Sequence, residues 1–357
     1  MTLIASIVSR FFLAWIMVLL GLGGLLLVFD MLANADNVLK YQTATLFPLA
    51  QYALLRFQQI VIFALPLSVL LSSMILLSKM VLSQEMIILR AVGISVYRVI
   101  FILLCATAAI VLMHSVFANT LLVKTNIALN QWQANDFKGK AEYKLRDVMN
   151  DWISAGSIFL HAEFISADGK QLRDVVVLQR SPTNAITYYL RAKTAFYDKG
   201  HWVMHGVKEA TANSNADEIE SAMQIKTLPF EPRTLSLMSV RENELSYGDL
   251  LDLIASVHDK ENASKPYHFW FYHKIAQPFS SFIMLLIGAP LALQLARRNR
   301  LLMVSFTCVM AGFLYYVVQQ LLASLGETGV LPPLLAASTP IVLGASMAGW
   351  VLLHFES

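Results

Sequence analysis

Residues 11–29 read FFLAWIMVLLGLGGLLLVF, a run of 19 residues without a charge. A helix needs about 20 mostly apolar residues to cross roughly 30 Å of hydrocarbon at 1.5 Å per residue. The run therefore predicts a membrane span. Five more stretches match it: Phe57–Leu77, Val96–Ala118, Ile275–Ala296, Leu301–Ala323 and Leu334–Leu353. The first run is too long for the apolar region of a signal peptide. Its nearest cleavage-like stretch, Ala33-Asn34-Ala35, also follows an acid. It is read as an uncleaved span.

Composition agrees with this reading. Of 357 residues, 57% are hydrophobic and 14% charged, with a mean hydropathy of +0.58. Soluble domains run at roughly 45–50% apolar and about 25% charged. The net charge of +3 gives no support to a nucleic-acid partner. The charges are unevenly spread. Residues 1–120 hold three acids and six bases, residues 275–357 two acids and three bases, and residues 121–274 the remaining 19 acids and 18 bases. Two apolar blocks thus flank one charge-balanced block. The expected domains are 1–120, 121–274 and 275–357.

Short loops set the orientation. Arg10 precedes the first span, Lys79, Arg90 and Arg98 lie around the second short loop, and Arg297, Arg298 and Arg300 fill the turn between spans four and five. Ser324–Pro333 holds one acid and no base. The positive-inside rule puts the basic loops in the cytoplasm. Both termini are then cytoplasmic, and residues 121–274 face the periplasm of a bacterial cell. Pro66, Pro278 and Pro290 sit inside spans, where neighbours can satisfy the freed backbone. They are read as kinks, either packing irregularities or hinges. Gly21, Gly23 and Gly24 permit close helix contact.

Within the central block, Ile158–Ile165, Val175–Leu178, Ile186–Tyr197 and a run beginning at Trp202 read as strands. Turn residues separate them at 167–170, 181–184 and 198–200. Spacing of this kind predicts a sandwich or jelly-roll-like sheet. Residues 212–217 read as a polar loop. Leu121–Phe137 continues out of the third span. Ser246 with Asp249 forms a capping pair before a helix running to about His258. Asn262–Pro266 breaks that helix. The aromatic run Tyr267, Phe269, Trp270, Phe271, Tyr272 fits a membrane interface.

Catalytic signatures are missing. Both cysteines, Cys105 and Cys308, lie inside spans, so no disulfide can hold the central block. No CxxC, HExxH, phosphate loop or G-x-S-x-G is present. His201 and His205 fall in a strand reading, where residues four apart stand about 13 Å apart. No metal site is expected. His114 near the end of the third span reads as packing or as a proton relay.

One segment carries a functional signal. Ser83-Gln84-Glu85-Met86-Ile87-Ile88-Leu89-Arg90-Ala91-Val92-Gly93 occupies the cytoplasmic loop between spans two and three. It reads as a short helix ended by Gly93 at the C′ position. Docking into a groove on a soluble partner and lying in the membrane interface are both open to it.

This segment resembles the coupling helix of the LptF/LptG permeases, the membrane subunits of the lipopolysaccharide export ABC transporter. Tyr272–Phe279 is similar to the family's aromatic-x-K-x-x-x-P entry into span four, and Gly329-Val330-Leu331-Pro332-Pro333 to its entry into span six. The layout of three spans, β-jellyroll and three spans covers nearly the whole chain. Phe29-Asp30-Met31-Leu32 and Leu352–Glu356 look more like the LptG branch.

The resemblance implies an α+β membrane protein, six transmembrane helices flanking a periplasmic β-jellyroll-like domain. It implies a non-catalytic permease that extracts lipopolysaccharide from the inner membrane. ATP and Mg²⁺ would sit in a separate LptB-type ATPase dimer. The other partners would be an LptF-type permease and LptC and LptA-type bridge proteins. Glu85 would pair with a base on the ATPase, Met86, Ile87 and Leu89 would fill its groove, and Arg90 and Gly93 complete the element. Lipid would meet Lys40, the one base following Ala33-Asn34-Ala35-Asp36, where LptG proteins often carry a basic cluster. Phe159, Phe164, Val176, Leu178, Tyr188, Leu190 and Phe196 would shield acyl chains or form plain sheet core. The alternatives are the LptF paralogue and a membrane-anchored periplasmic enzyme, which lacks a polar constellation in 138–245. A secondary transporter would need ionisable groups in its spans, and these spans are nearly free of charge.

Overall fold

The computed structural model describes residues 3–40, 46–134, 137, 152–155, 157–166, 168–181, 185–211, 219–226, 228, 230–238, 241–256, 264–297 and 301–354. In chain order its elements are α1 (Leu3–Leu39), α2 (Leu46–Leu82), α3 (Glu85–Ala91), α4 (Val96–Ala134), β1 (Ile153–Ala155), β2 (Ile158–Ile165), β3 (Gln171–Arg180), β4 (Ile186–Asp198), β5 (His201–Thr211), β6 (Ile219–Lys226), α5 (Pro232–Met238), α6 (Tyr247–Ser256), α7 (Lys265–Ala276), α8 (Ser280–Arg297), α9 (Leu301–Glu327) and α10 (Pro333–His354). The chain divides into two compact units. One is Met1–Leu122 with Phe269–Ser357, the other Val123–His268.

Among the described residues, six helical segments are long and apolar enough to cross a membrane. α1 and α2 each have 37 residues, about 55 Å of helix, nearly twice the hydrocarbon thickness. Each must therefore project beyond the bilayer. The fourth span is not one helix. α7 gives way to a 3₁₀ turn at Gln277–Phe279, and α8 resumes at Ser280. Pro278, with no N–H to donate, sits inside that turn. Pro66 and Pro290 are carried within α2 and α8. The core of the first unit runs through Phe11, Leu65, Val69, Leu77, Leu103, Met284 and Leu293.

Three buried serine hydroxyls in α2 are satisfied by their own helix. Ser68, Ser72 and Ser73 donate to the carbonyls of Leu65, Val69 and Leu70 at 2.7, 3.0 and 2.8 Å. Such local bonds let a serine be buried without a partner on another helix.

In the second unit the described strands form one antiparallel sheet in the order β1 to β6, each strand beside its sequence neighbours. The jelly-roll-like domain expected from strand spacing is thus seen, among the described residues, as a meander without Greek-key crossings. β2 coincides with the expected strand. β1 and β6 are strands that sequence pattern missed. The expected polar loop at 212–217 lies outside the described residues.

One face of the sheet is closed by Leu228, Phe230 and, from α5, Leu235, packed on Leu160, Leu172, Val175, Val177, Trp202 and Met204. Trp202 is fully buried, and its indole N–H donates to the Phe230 carbonyl at 3.1 Å. α6 opens with the expected capping box. The Ser246 N–H donates to Asp249 Oδ2 at 2.9 Å and the Asp249 N–H to Ser246 Oγ at 3.2 Å. The outer turns of α4 are tied to the Glu242–Glu244 turn, where Asn126 donates to the Asn243 carbonyl at 2.7 Å.

The strands share an irregularity. Cα pairing passes over Glu163, Asp174, Lys193, Gly206 and Ala222, one residue on each of five neighbouring strands. Asp174 and Gly206 have positive φ of 46° and 64°. On either side of this row the inward set changes parity: Ala162 then Ile165, Leu172 then Val175, Ala192 then Ala195, Met204 then Val207 are all buried. Strict i, i+2 alternation therefore fails across it.

Candidate functional site

α3 is built as a small, well-terminated helix. It starts after Gln84, whose φ of 60° turns the chain sharply out of α2. At its end the Gly93 N–H donates to the Arg90 carbonyl at 3.0 Å and the Ile94 N–H to the Leu89 carbonyl at 2.9 Å. With Gly93 at φ 85° this is a Schellman close, a conformation glycine adopts without penalty.

The side chains of α3 divide sharply. Met86 and Leu89 are 5% and 6% exposed and belong to the core of the membrane unit. Ile87, Ile88 and Val92 are 66%, 61% and 74% exposed. Met86 and Leu89, expected to fill a partner's groove, share one face at helical spacing, and that face packs on their own chain. The outward apolar residues are Ile87, Ile88 and Val92, with Arg90 exposed beside them. Glu85 is also engaged within the chain. Arg10 Nη1 donates to its Oε2 at 2.9 Å and its Oε1 at 3.1 Å. Within the chain, α1 supplies a base to Glu85.

At the other end of α1 lies a polar cluster that sequence reading did not single out. Asp30 accepts from Tyr52 Oη at 2.6 Å, from Arg56 Nε at 2.9 Å and from Arg56 Nη2 at 2.8 Å. Arg56 Nη1 donates onward to Gln59 at 2.5 Å. The signal was present: Asp30 and Arg56 are lone charges at the ends of apolar runs. Arg10 and Asp30 are 20 residues apart on one continuous helix, about 30 Å, the depth of a bilayer's hydrocarbon. The two ion pairs bracket a membrane-spanning stretch. Lys40 lies exposed in the turn that follows α1.

The sheet candidates fall on two faces. Leu190 is fully buried on the closed face, and Tyr188 packs against the same core. Burial, and then the carboxylate of Glu209 that its hydroxyl meets, push the Tyr188 phenol well above its ordinary value. For these two the structure shows the sheet-core placement, one of the two readings open to them. Phe159, Phe164, Val176, Leu178 and Phe196 turn to the opposite face. Phe159 pairs across with Leu178, and Phe196 with Val203, which pairs with Ile225. The row at Lys193 explains the split, since it lies between Leu190 and Phe196. Two guanidinium groups roof this face. Arg180 lies 4.6 Å from the Phe159 ring and Arg173 4.8 Å from the Phe164 ring, within range of cation–π attraction. The face combines apolar side chains with fixed positive charge, a composition suited to an acidic lipid.

Residues 6–354 match the family model described as lipopolysaccharide export system permease LptF/LptG. The chain is similar to the lipopolysaccharide export system permease protein LptG of Haemophilus influenzae, 20% identical over 292 residues that cover 80% of each chain. A family match running from the first turns of α1 to the end of α10 leaves little outside it: the chain belongs to the LptF/LptG family of lipopolysaccharide export system permeases.

Proposed function

We propose that the chain is the LptG half of a two-permease channel, driven by an LptB-type ATPase dimer that docks on the outward face of α3. The supporting observation is the division of that helix. Met86 and Leu89 seat it firmly, Arg10 holds its first residue, and Ile87, Ile88 and Val92 stand exposed. Exposed apolar side chains on a firmly seated cytoplasmic helix fit a hydrophobic groove on a soluble partner. The basic short loops support a cytoplasmic position for α3 and a periplasmic one for the sheet. The sequence has no phosphate loop, so ATP and Mg²⁺ belong to the ATPase, and this subunit converts its motion into lipid movement without chemistry of its own. The likeness to the Haemophilus influenzae LptG protein supports LptG over LptF.

Transport in this reading is extrusion. An LptF-type partner completes the cavity, and closure drives lipopolysaccharide toward the sheet. Each exposed CH₂ costs about 0.8 kcal/mol in water, so the open face with Phe159, Phe164, Val176, Leu178 and Phe196 would shelter acyl chains. LptC and LptA-type bridge proteins then receive them. Lys40 is the candidate contact for a lipid phosphate in this reading. The test is Ile88→Asp. It should abolish co-purification of the ATPase and lipid export while membrane insertion stays normal. An Ile88→Asp protein that keeps its ATPase would make α3 a membrane-surface helix.

A further inference from the structure

A cavity of about 560 Å³ opens between the last turns of α2 and the start of α9. Met74, Ile75 and Leu82 give it an apolar wall. Its polar wall is Ser78, Lys79, Ser83 and Ser305, and among the described residues no carboxylate lines it. A lysine in the last turn of a helix is already favoured by the helix dipole, so Lys79 alone would mean little. Ser78 is the second observation. It is 6% exposed, lines the cavity, and its hydroxyl has no hydrogen-bond partner. The other buried serines of α2, Ser68, Ser72 and Ser73, each bond a carbonyl of their own helix. An unpaired buried hydroxyl is costly, and here it borders a pocket whose described lining carries one charge, a positive one.

From this geometry we infer that the cavity is a binding site for the phosphate of an anionic membrane lipid in the leaflet at the α3 end of the bundle. Ser78 and Ser83 donate hydrogen bonds to phosphate oxygens, Lys79 neutralises the charge, and Met74, Ile75 and Leu82 line the first carbons of an acyl chain. Basic pockets between helices on the cytoplasmic side suit such headgroups. In the orientation proposed above this is the cytoplasmic leaflet, so this lipid is a resident of the permease and not its cargo. That assignment of leaflet rests on the orientation proposed above, but binding to the cavity does not.

Native mass spectrometry of the full chain in detergent, with phosphatidylglycerol or phosphatidylcholine added, tests the site. The wild-type chain should retain phosphatidylglycerol and not phosphatidylcholine. Lys79→Gln should lower the retained fraction by about five-fold, the effect of one basic side chain at a lipid surface. Ser78→Ala should lower it as well, and Lys79→Arg should preserve it. Excess inorganic phosphate should leave the adduct in place. Equal retention of both lipids, no loss in Lys79→Gln, or displacement by inorganic phosphate would overturn the assignment. The selectivity of the wild-type chain is read without any substitution, so a variant that fails to fold does not protect the inference. Ile88→Asp leaves this cavity intact and should bind phosphatidylglycerol normally, which separates the site from the ATPase contact.

Discussion

The helix α3 and the six-stranded sheet pose the same problem in two geometries. Each carries a row of apolar residues, and in each only some of them are available to a partner. In α3 the inward residues, Met86 and Leu89, are three apart, as a 3.6-residue period requires. Seven residues leave no room for the phase to drift, and the outward face follows once one inward residue is known. The sheet is different. Its period of two holds only up to the row Glu163, Asp174, Lys193, Gly206 and Ala222, where the inward set of five strands shifts by one. Tyr188 and Phe196 share parity in the sequence yet face opposite ways. A short helix can be read from one contact, whereas a sheet with a bend must be read strand by strand.

The largest test of this difference is Leu190→Ala against Phe196→Ala. Leu190 is fully buried and Phe196 is 40% exposed. Truncating a buried leucine costs about 2–5 kcal/mol, and hydrogen exchange in β4 should accelerate accordingly. Phe196→Ala should leave that exchange within about 1 kcal/mol of wild type, because much of its ring already faces solvent. A photo-crosslinker at Phe196 or Phe159 should capture lipid in the assembled, ATP-supplied transporter, and one at Leu190 should not. Equal destabilisation by the two substitutions would place them on one face and remove the slip.

Much of the fold was legible in the sequence. The spans were set by run length, which depends only on bilayer thickness. β2, the capping box at Ser246 and Asp249, and the Gly93 close were set by local chemistry that needs no tertiary partner. β1 escaped because three residues carry no pattern. β6, with Glu220, Gln224 and Lys226 among its eight residues, reads as polar and has only one neighbour. The inward turn of Met86 and Leu89 depends on the membrane unit's core, which no seven-residue window contains. The bond between Asp30 and Arg56 joins α1 to α2 across 26 residues, a distance at which lone charges look independent.

That outer ion pair supplies the next comparison. Its side chains are 34% exposed for Arg56 and 16% for Asp30, against 53% and 37% for Arg10 and Glu85. Arg56→Leu strands a carboxylate that now accepts from two side chains. Hydrogen bonds to charged groups are worth about 1.5–3 kcal/mol, and thermal unfolding of the detergent-solubilised protein should report a loss of that order. Asp30→Asn combined with Arg56→Leu should recover part of it, since no buried charge remains. A loss below about 0.5 kcal/mol would make the outer pair equivalent to the inner one.

Gly93→Ala probes the end of α3 with a smaller effect. A Cβ there would meet no atom within 4 Å, so only the positive φ opposes it. The left-handed conformation costs a non-glycine residue about 1–2 kcal/mol, localised to the α3 terminus. Faster amide exchange at Ile94, whose N–H closes the Schellman motif, should reveal it while the spans stay unchanged. Unchanged exchange at Ile94 would mean that the α3 seat is held by its inward face alone.

The smallest stability effect belongs to Arg10 and Glu85, and there the functional consequence should exceed the thermodynamic one. Exposed pairs contribute about 0.2–1 kcal/mol, so a double-mutant cycle on unfolding should give a coupling within that range. The pair nonetheless joins α1, a spanning helix, to α3, the proposed docking element. Arg10→Glu places two carboxylates against each other and should weaken the link, reducing lipid export more than it reduces stability. Exchanging the charges, Arg10→Glu with Glu85→Arg, should restore export if the link between α1 and α3 is what matters. If instead Glu85 also serves a base on the ATPase, the exchange would present that base with a guanidinium, and export would stay low while the stability coupling returned. Measuring export and unfolding on the same four proteins therefore separates a link inside the chain from a contact with the partner, at the one carboxylate of α3 that sequence alone assigned outward.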